Sequence, residues 1–241
     1  MNRDERLSRA QGLPPARREF KGTQALLPSE PNGGTWIAVS EHGISLALIN
    51  WYSAPQQALE PISSRGGIIP SMIDALETAT LRDRLRHSVW RNTQPFRLIA
   101  VSVREKAVIE WRWNGKQLES LDHPWALAMW ISSGHDEPGA EQTRGATFLQ
   151  HRLEKDSSQR DWLRQLHTSH LPEACAYSIC MHRNDAQTVS YSEITLRDEE
   201  ARFEYCEGPP CHGQTWREAR ISIRSHPATQ GSLQEEGASL C

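Results

Sequence analysis

The sequence predicts a layered α+β domain in which helices cover a large sandwich of antiparallel sheets. Two features carry that expectation. Apolar runs of strand length recur in pairs joined by short turn sequences, the pattern of antiparallel hairpins. Two blocks with apolar residues at helical spacing alternate with these groups of strands. Of the 241 residues, 37% are hydrophobic and 24% charged, which excludes a collagen-like, mucin-like or fully disordered chain.

Residues 1–34 are polar and turn-rich and read as irregular chain. TWIAVS (35–40) and ISLALIN (44–50) follow as two strands turned at His42-Gly43, the second apolar enough for burial on both faces. Residues 53–67 hold Pro and Gly and read as a loop. Ile69, Met72, Ile73, Leu76, Leu81 and Leu85 then recur at helical spacing, with Pro70 fitting a first turn, so one helix is expected at about 70–89. FRLIAVSV (96–103) and AVIEWRW (107–113) form a hairpin turned at Arg104-Glu105-Lys106, and Asn114-Gly115 continues the meander. ALAMWIS (126–132) reads as a further buried strand. Helices are expected at 138–154 and at 159–170, the latter with a stripe of Trp162, Leu163 and Leu166. AYSICM (176–181), VSYSEITL (189–196) and ARFEYCE (201–207) complete the strands. One domain is expected over 1–215, followed by a polar tail of little order over 216–241.

Charge and chemistry narrow the function classes. A net charge of −3 provides no positive field for nucleic acid. No apolar stretch approaches the length of a membrane span. The start MNRDERLSRA lacks the apolar core of a secretory signal, and an odd count of five cysteines suits reduced thiols, so a cytoplasmic protein is expected. No GxGxxG, P-loop, HExxH or GxSxG motif is present. Cys175-x4-Cys180-x-His182 and Cys206-x4-Cys211-His212 supply soft ligands in two groups. Their spacing is looser than that of a zinc knuckle, so buried or incidental thiols are the expectation and no metal or cofactor is assigned. The ten histidines, His167 and His170 among them, read as surface residues.

Asn2-Arg3-Asp4-Glu5 is followed by Gly33-Gly34-Thr35-Trp36-Ile37, by Gly43-x4-Leu48-x-Asn50 and by Ser64-Arg65-Gly66. That ordered set resembles the NRDE family, also called the transport-and-Golgi-organisation-2 family. Cys180-Met181-His182-Arg183-x-Asp185-Ala186 through Ser190 resembles a closing strand segment of its bacterial members. The family is similar to the N-terminal-nucleophile hydrolases of the bile-salt hydrolase and penicillin V acylase branch. The resemblance therefore implies a four-layer α-β-β-α sandwich and cysteine amidohydrolysis of a small amide substrate. In such enzymes a first-residue Cys attacks the amide, its α-amine serves as base, and an Asn donates to the oxyanion.

Carried onto this chain, the resemblance implies Arg3, Asp4 and Asn50 as catalytic residues, with Trp36, Arg65, Ser132 and Arg183 lining the substrate site. It also implies a departure. Family members begin Met-Cys and run through a strand of roughly a dozen residues, about 40 Å long, before Asn-Arg-Asp-Glu. Here Met1 directly precedes Asn2, so the first strand and its nucleophile are expected to be absent and the chain inactive in this form. A start codon placed too late or a degenerate member would both produce this. The alternative implied is a non-catalytic protein that binds a small molecule, lipid or haem, or one of secretory-organisation type. The sequence carries no signal for an oligomeric state.

Overall fold

A computed structural model describes residues 1–56, 62–154, 160–213 and 215–224. Seven strands form an antiparallel meander in chain order: β2 (Leu13–Phe20), β3 (Thr23–Ser29), β4 (Ile37–Ser40), β5 (Ile44–Asn50), β6 (Phe96–Ser102), β7 (Ala107–Trp113) and β8 (Leu118–His123). A second sheet has the order β1 (Asn2–Arg6), β9 (Ala186–Leu196), β10 (Glu200–Glu207) and β11 (Trp216–Ser222). Helices α1 (Ile68–Met72) and α2 (Thr78–His87) lie on the larger sheet, while α3 (Glu137–Glu154) and α4 (Arg160–His167) lie on the smaller.

Strand alternation sorts the residues into three apolar layers. Ile44, Leu46 and Leu48 of β5 face α1 and α2 with Phe96, Leu98 and Trp111. Leu26, Ile37 and Val39 face the other way and meet Ala201, Phe203, Tyr205 and Ile221 between the sheets. Outside the smaller sheet, Phe148, Trp162 and Leu166 pack with Ile179 under α3 and α4. The order helix, sheet, sheet, helix is the four-layer sandwich expected. No helix among the described residues is long and apolar enough to cross a membrane.

The β4–β5 and β6–β7 hairpins form where the apolar runs place them. Residues 1–34 are not irregular: they contain β1, β2 and β3. β2 is an edge strand with Pro14 and Pro15 at a register shift between Leu13 and Ala16, a position where missing N–H donors do no harm. Lys21 and Gly22 both take positive φ (48° and 81°) and turn β2 into β3, a job that suits glycine. The helix expected at 70–89 is two helices. The Asp74 carboxylate between them is held by Arg84 (2.6 Å) and Lys21 (3.5 Å), and Glu105 takes the N–H and hydroxyl of Thr78 at the start of α2.

Two expected strands do not form. Residues 127–133 take no regular secondary structure, and side chains serve part of their backbone: Arg144 Nη1 donates to Ser132 O (3.4 Å) and Ser133 N–H to Glu137 (3.4 Å). In 176–181, the Ser178 hydroxyl bonds Cys175 O (2.9 Å) and Cys180 O (2.7 Å), a local arrangement that competes with a ladder. The start of the expected tail is a strand: Trp216–Ser222 is β11, paired with β10 from Cys206↔Trp216 to Glu200↔Ser222. Its charged residues face solvent from a sheet edge while Ile221 is buried, so polar composition hid a one-sided strand. Residues 225–241 of that expected tail lie outside the described residues.

Phe203, fully buried between the sheets, sets the first prediction. Phe203→Ala should lower the unfolding free energy by about 3–5 kcal/mol. Leu153→Ala, at a side chain 87% exposed, should change it by no more than about 0.5 kcal/mol in the same urea titration.

Candidate functional site

The site is organised by β1. It pairs antiparallel with β9, with a register shift between Arg3 and Asp4. Consecutive side chains of a strand point to opposite faces. Arg3 therefore enters the space between the sheets, and Asp4 faces the helix layer outside the smaller sheet.

Arg3 is buried with its guanidinium 4.3 Å from the Trp36 ring centre, and it donates to Glu30 (3.1 Å). Arg9 donates to the same Glu30 oxygen (2.8 Å). A cleft of about 230 Å³ beside them is lined by Arg3, Glu5, Arg9, Gln11 and Gln187. Trp36 itself is a core residue packed with Leu26 and Phe203, not a cleft wall.

Asp4 accepts from the Thr188 hydroxyl at Oδ1 (2.7 Å) and from Arg144 Nη2 at Oδ2 (3.2 Å). Thr188 Oγ1 in turn accepts the N–H of Met181 (2.9 Å). Arg144 also donates to Ser132 O (3.4 Å) and Ala176 O (3.3 Å), so one guanidinium ties β1, the 127–133 segment and the loop before β9. Arg144 lies on the buried stripe of α3 with Ala140, Thr147 and Phe148. An arginine at helical spacing from Ala140, Thr147 and Phe148 was the signal available in the sequence for a bridging role.

Asn50 ends β5, and its Nδ2 donates to the Tyr52 hydroxyl (2.8 Å). Arg65 lies near the same phenol and donates to Pro95 O (2.9 Å). Arg65 is held in place by a close backbone approach: a side chain at Gly66 would lie 2.9 Å from the Cα of Gly34, so both positions require glycine. The Tyr52 ring lies against Gly134. Glu137, buried at the start of α3, accepts from Ser53 N–H (2.6 Å) and hydroxyl (2.5 Å) and from Ser133 N–H (3.4 Å). Two polar groups thus flank residues 132–134. Arg144, held by Asp4, meets this segment at Ser132, and Tyr52, which takes the Asn50 amide, meets it at Gly134. Among the described residues, no hydrogen bond joins Asn50 to Arg3 or Asp4. Arg183 stands apart in an ion pair with Asp185 (2.8 Å), and Arg144 occupies the place beside Asp4. Tyr52, Glu137, Arg144 and Thr188 are the members that motif reading missed.

The Met1 α-amine donates to Ser192 O (2.6 Å). Burial pulls it down to about 5, against an opposing effect of Glu193, so it is neutral at pH 7. His167 is half-buried rather than on the surface. Burial, with the nearby α-amine, holds it well below the ordinary histidine value. Its ring packs on Tyr191, whose hydroxyl donates to Glu193 (3.2 Å) beside Arg164 (2.9 Å).

A larger cavity of about 800 Å³ lies on the opposite helix layer, between α2 and the β7–β8 hairpin. It joins Trp90, Trp111 and Trp113 to Arg82, Arg86 and Arg91, surfaces suited to a flat anionic molecule.

Two measurements test these assignments. Asp4→Asn and Arg144→Met should each cost about 3–5 kcal/mol, because each leaves a charge without its partner in a largely buried position. The double variant should cost less than the sum, and additive losses would exclude the pair. Groups neutral in the fold and protonated when unfolded cost stability as pH falls. Unfolding free energy should therefore decline from about pH 8, where the free amine begins to protonate, towards about pH 5. His167→Phe should flatten the lower part of that decline, and a profile unchanged by the substitution would contradict the assignment.

The model of the family Transport and Golgi organisation 2 matches residues 1–203. No curated protein matches the chain. A mutant of the conjugated bile acid hydrolase from Clostridium perfringens superposes with a TM-score of 0.51 at 10% identity, over 92% of this chain and 87% of that one. Penicillin V acylase from Agrobacterium tumefaciens gives 0.46 at 9% identity, over 85% and 81%. The first similarity shows a fold shared with that hydrolase. With the order of layers and a family match over residues 1–203, the chain belongs to the Transport and Golgi organisation 2 family.

Proposed function

We propose that this chain carries the amide-binding half of a hydrolase site of the N-terminal-nucleophile type, and that the 241-residue chain binds a small amide without forming an acyl-enzyme. The observation that supports the reading is the convergence on residues 132–134 of Asp4 with Arg144 on one side and Asn50 with Tyr52 and Arg65 on the other. Asn50 Nδ2 turned from Tyr52 donates to a substrate carbonyl oxygen, the role of an oxyanion donor. Arg65 and the Tyr52 hydroxyl hold the polar end of the acyl group, and the Ser132 backbone lines the floor. Arg144 positions that backbone by holding Asp4 and Ser132 O together.

Met1 has a neutral, base-competent amine but a thioether in place of a thiol. Cys175, Cys180, Cys206, Cys211 and Cys241 are internal or C-terminal and carry no α-amine. The similar fold is named for hydrolysis of a conjugated bile acid, and the proposed ligand class follows it.

The cavity of Trp90, Trp111, Trp113 and Arg86 supports a second reading, a non-catalytic protein that binds a flat anion. One experiment separates the two. The purified 241-residue protein is titrated calorimetrically with phenoxyacetyl amides and glycine-conjugated acyl amides, and hydrolysis is followed by mass spectrometry. The proposal expects binding weakened about tenfold by Asn50→Ala, equivalent to one neutral hydrogen bond, and no hydrolysis. Turnover sensitive to Asn50→Ala would overturn the missing-nucleophile argument. Binding indifferent to Asn50→Ala and abolished by Arg86→Ala would favour the second reading.

A further inference from the structure

Three chain segments that are remote in sequence bring four soft ligands to one point. His170 follows the end of α4, Cys180 and His182 lie in the loop leading to β9, and Cys211 sits in the turn Pro210–His212 between β10 and β11. One ligand atom from each lies within 4.8 Å of all the others. His182 Nε2 stands between two sulfurs, 3.7 Å from Cys180 Sγ and 3.4 Å from Cys211 Sγ. The His170 ring meets the His182 ring edge-on at 5.0 Å, and His170 Nε2 is buried with no hydrogen-bond partner. A buried imidazole nitrogen without a partner is costly, and a metal ion shared with the other three ligand atoms would satisfy it.

We propose that this cluster binds a zinc ion through His170, Cys180, His182 and Cys211. Two thiolates and two imidazoles are a soft, tetrahedral donor set, which selects zinc over calcium or magnesium. With zinc–sulfur bonds of about 2.3 Å and zinc–nitrogen bonds of about 2.0–2.1 Å, neighbouring sulfur and nitrogen ligands stand about 3.6 Å apart in a tetrahedron. The two sulfur–nitrogen separations already bracket that spacing. Four protein ligands close the coordination sphere, so the ion is structural and leaves no position for substrate. Its place gives it a consequence for the site above. The ion clamps the segment containing Met181, whose N–H fixes Thr188 Oγ1, and that hydroxyl donates to Asp4. Zinc at this point would hold the loop from 170 to 182 and the β10–β11 turn against the strand pair that presents Asp4.

The test uses the full chain, free of any polyhistidine tag and purified under reducing conditions. Plasma mass spectrometry should find about one zinc per chain. Cobalt exchanged into the site should give the visible absorption of tetrahedral, thiolate-bound Co2+. Cys211→Ser and His170→Ala should each remove that spectrum and most of the zinc, while Cys175→Ser, outside the cluster, should keep both. A chelator should lower the melting temperature of the parent protein and leave that of Cys211→Ser unchanged. The proposal is overturned if the parent protein holds no stoichiometric metal after incubation with zinc. It is equally overturned if Cys211→Ser keeps the cobalt spectrum, or if the reduced protein is found with Cys180 and Cys211 joined in a disulfide. The cobalt spectrum of the parent protein decides the matter even where a variant folds poorly.

Discussion

The pairing of β1 with β9, and the register shift inside it, is the constraint on which the site depends. It sends two adjacent charged residues to opposite sides of one sheet. Arg3 is spent between the sheets, where it lies on Trp36 and neutralises Glu30. Asp4 is left to face the helix layer, where Thr188 and Arg144 saturate its two oxygens. A carboxylate in that position cannot be moved without moving three elements, because Arg144 also holds Ser132 O and Ala176 O. The polar groups of the candidate site are arranged around that fixed point.

The apolar layers and the polar centre do different work. Phe203, Tyr205, Leu26 and Val39 between the sheets, with the Leu46, Leu98 and Trp111 layer outside, provide the burial that drives folding. The Asp4–Arg144 pair offers little net energy, since desolvation offsets most of its attraction. It selects one packing of α3 on the smaller sheet, because any other would strand a charge in a place without water. The pattern repeats at α4, where Arg164 bridges Glu193 and Glu204 on neighbouring strands and stacks on Trp216.

The parts of the fold that could be read from the sequence were those where burial and turn chemistry agree. ISLALIN and the 96–113 hairpin are apolar runs bounded by turn residues, and both are strands. β2 and β11 escaped because edge strands bury one face at most and tolerate Pro and charge. ALAMWIS and AYSICM misled in the opposite direction: both have apolar composition, but side chains of Arg144, Glu137 and Ser178 take their backbone groups. Asp4 and Asn50 became candidates through resemblance to a family. Arg144 did not, because a single arginine in a helix has no motif. The ligand cluster was missed because its members span residues 170 to 211 and become neighbours only through the β9–β10–β11 meander.

Amide hydrogen exchange of the 241-residue protein and of Arg144→Met tests the central claim most directly, since it reads each element separately. If Asp4 and Arg144 fasten β1 and the 127–133 segment to α3, the substitution should speed exchange at residues 2–6, 186–191 and 131–134. The amides of β6, β7 and the β10–β11 pair should speed by less, no more than the loss of global stability requires. Equal acceleration across both sheets, or no change at residues 2–6, would contradict the claim that this pair organises the site.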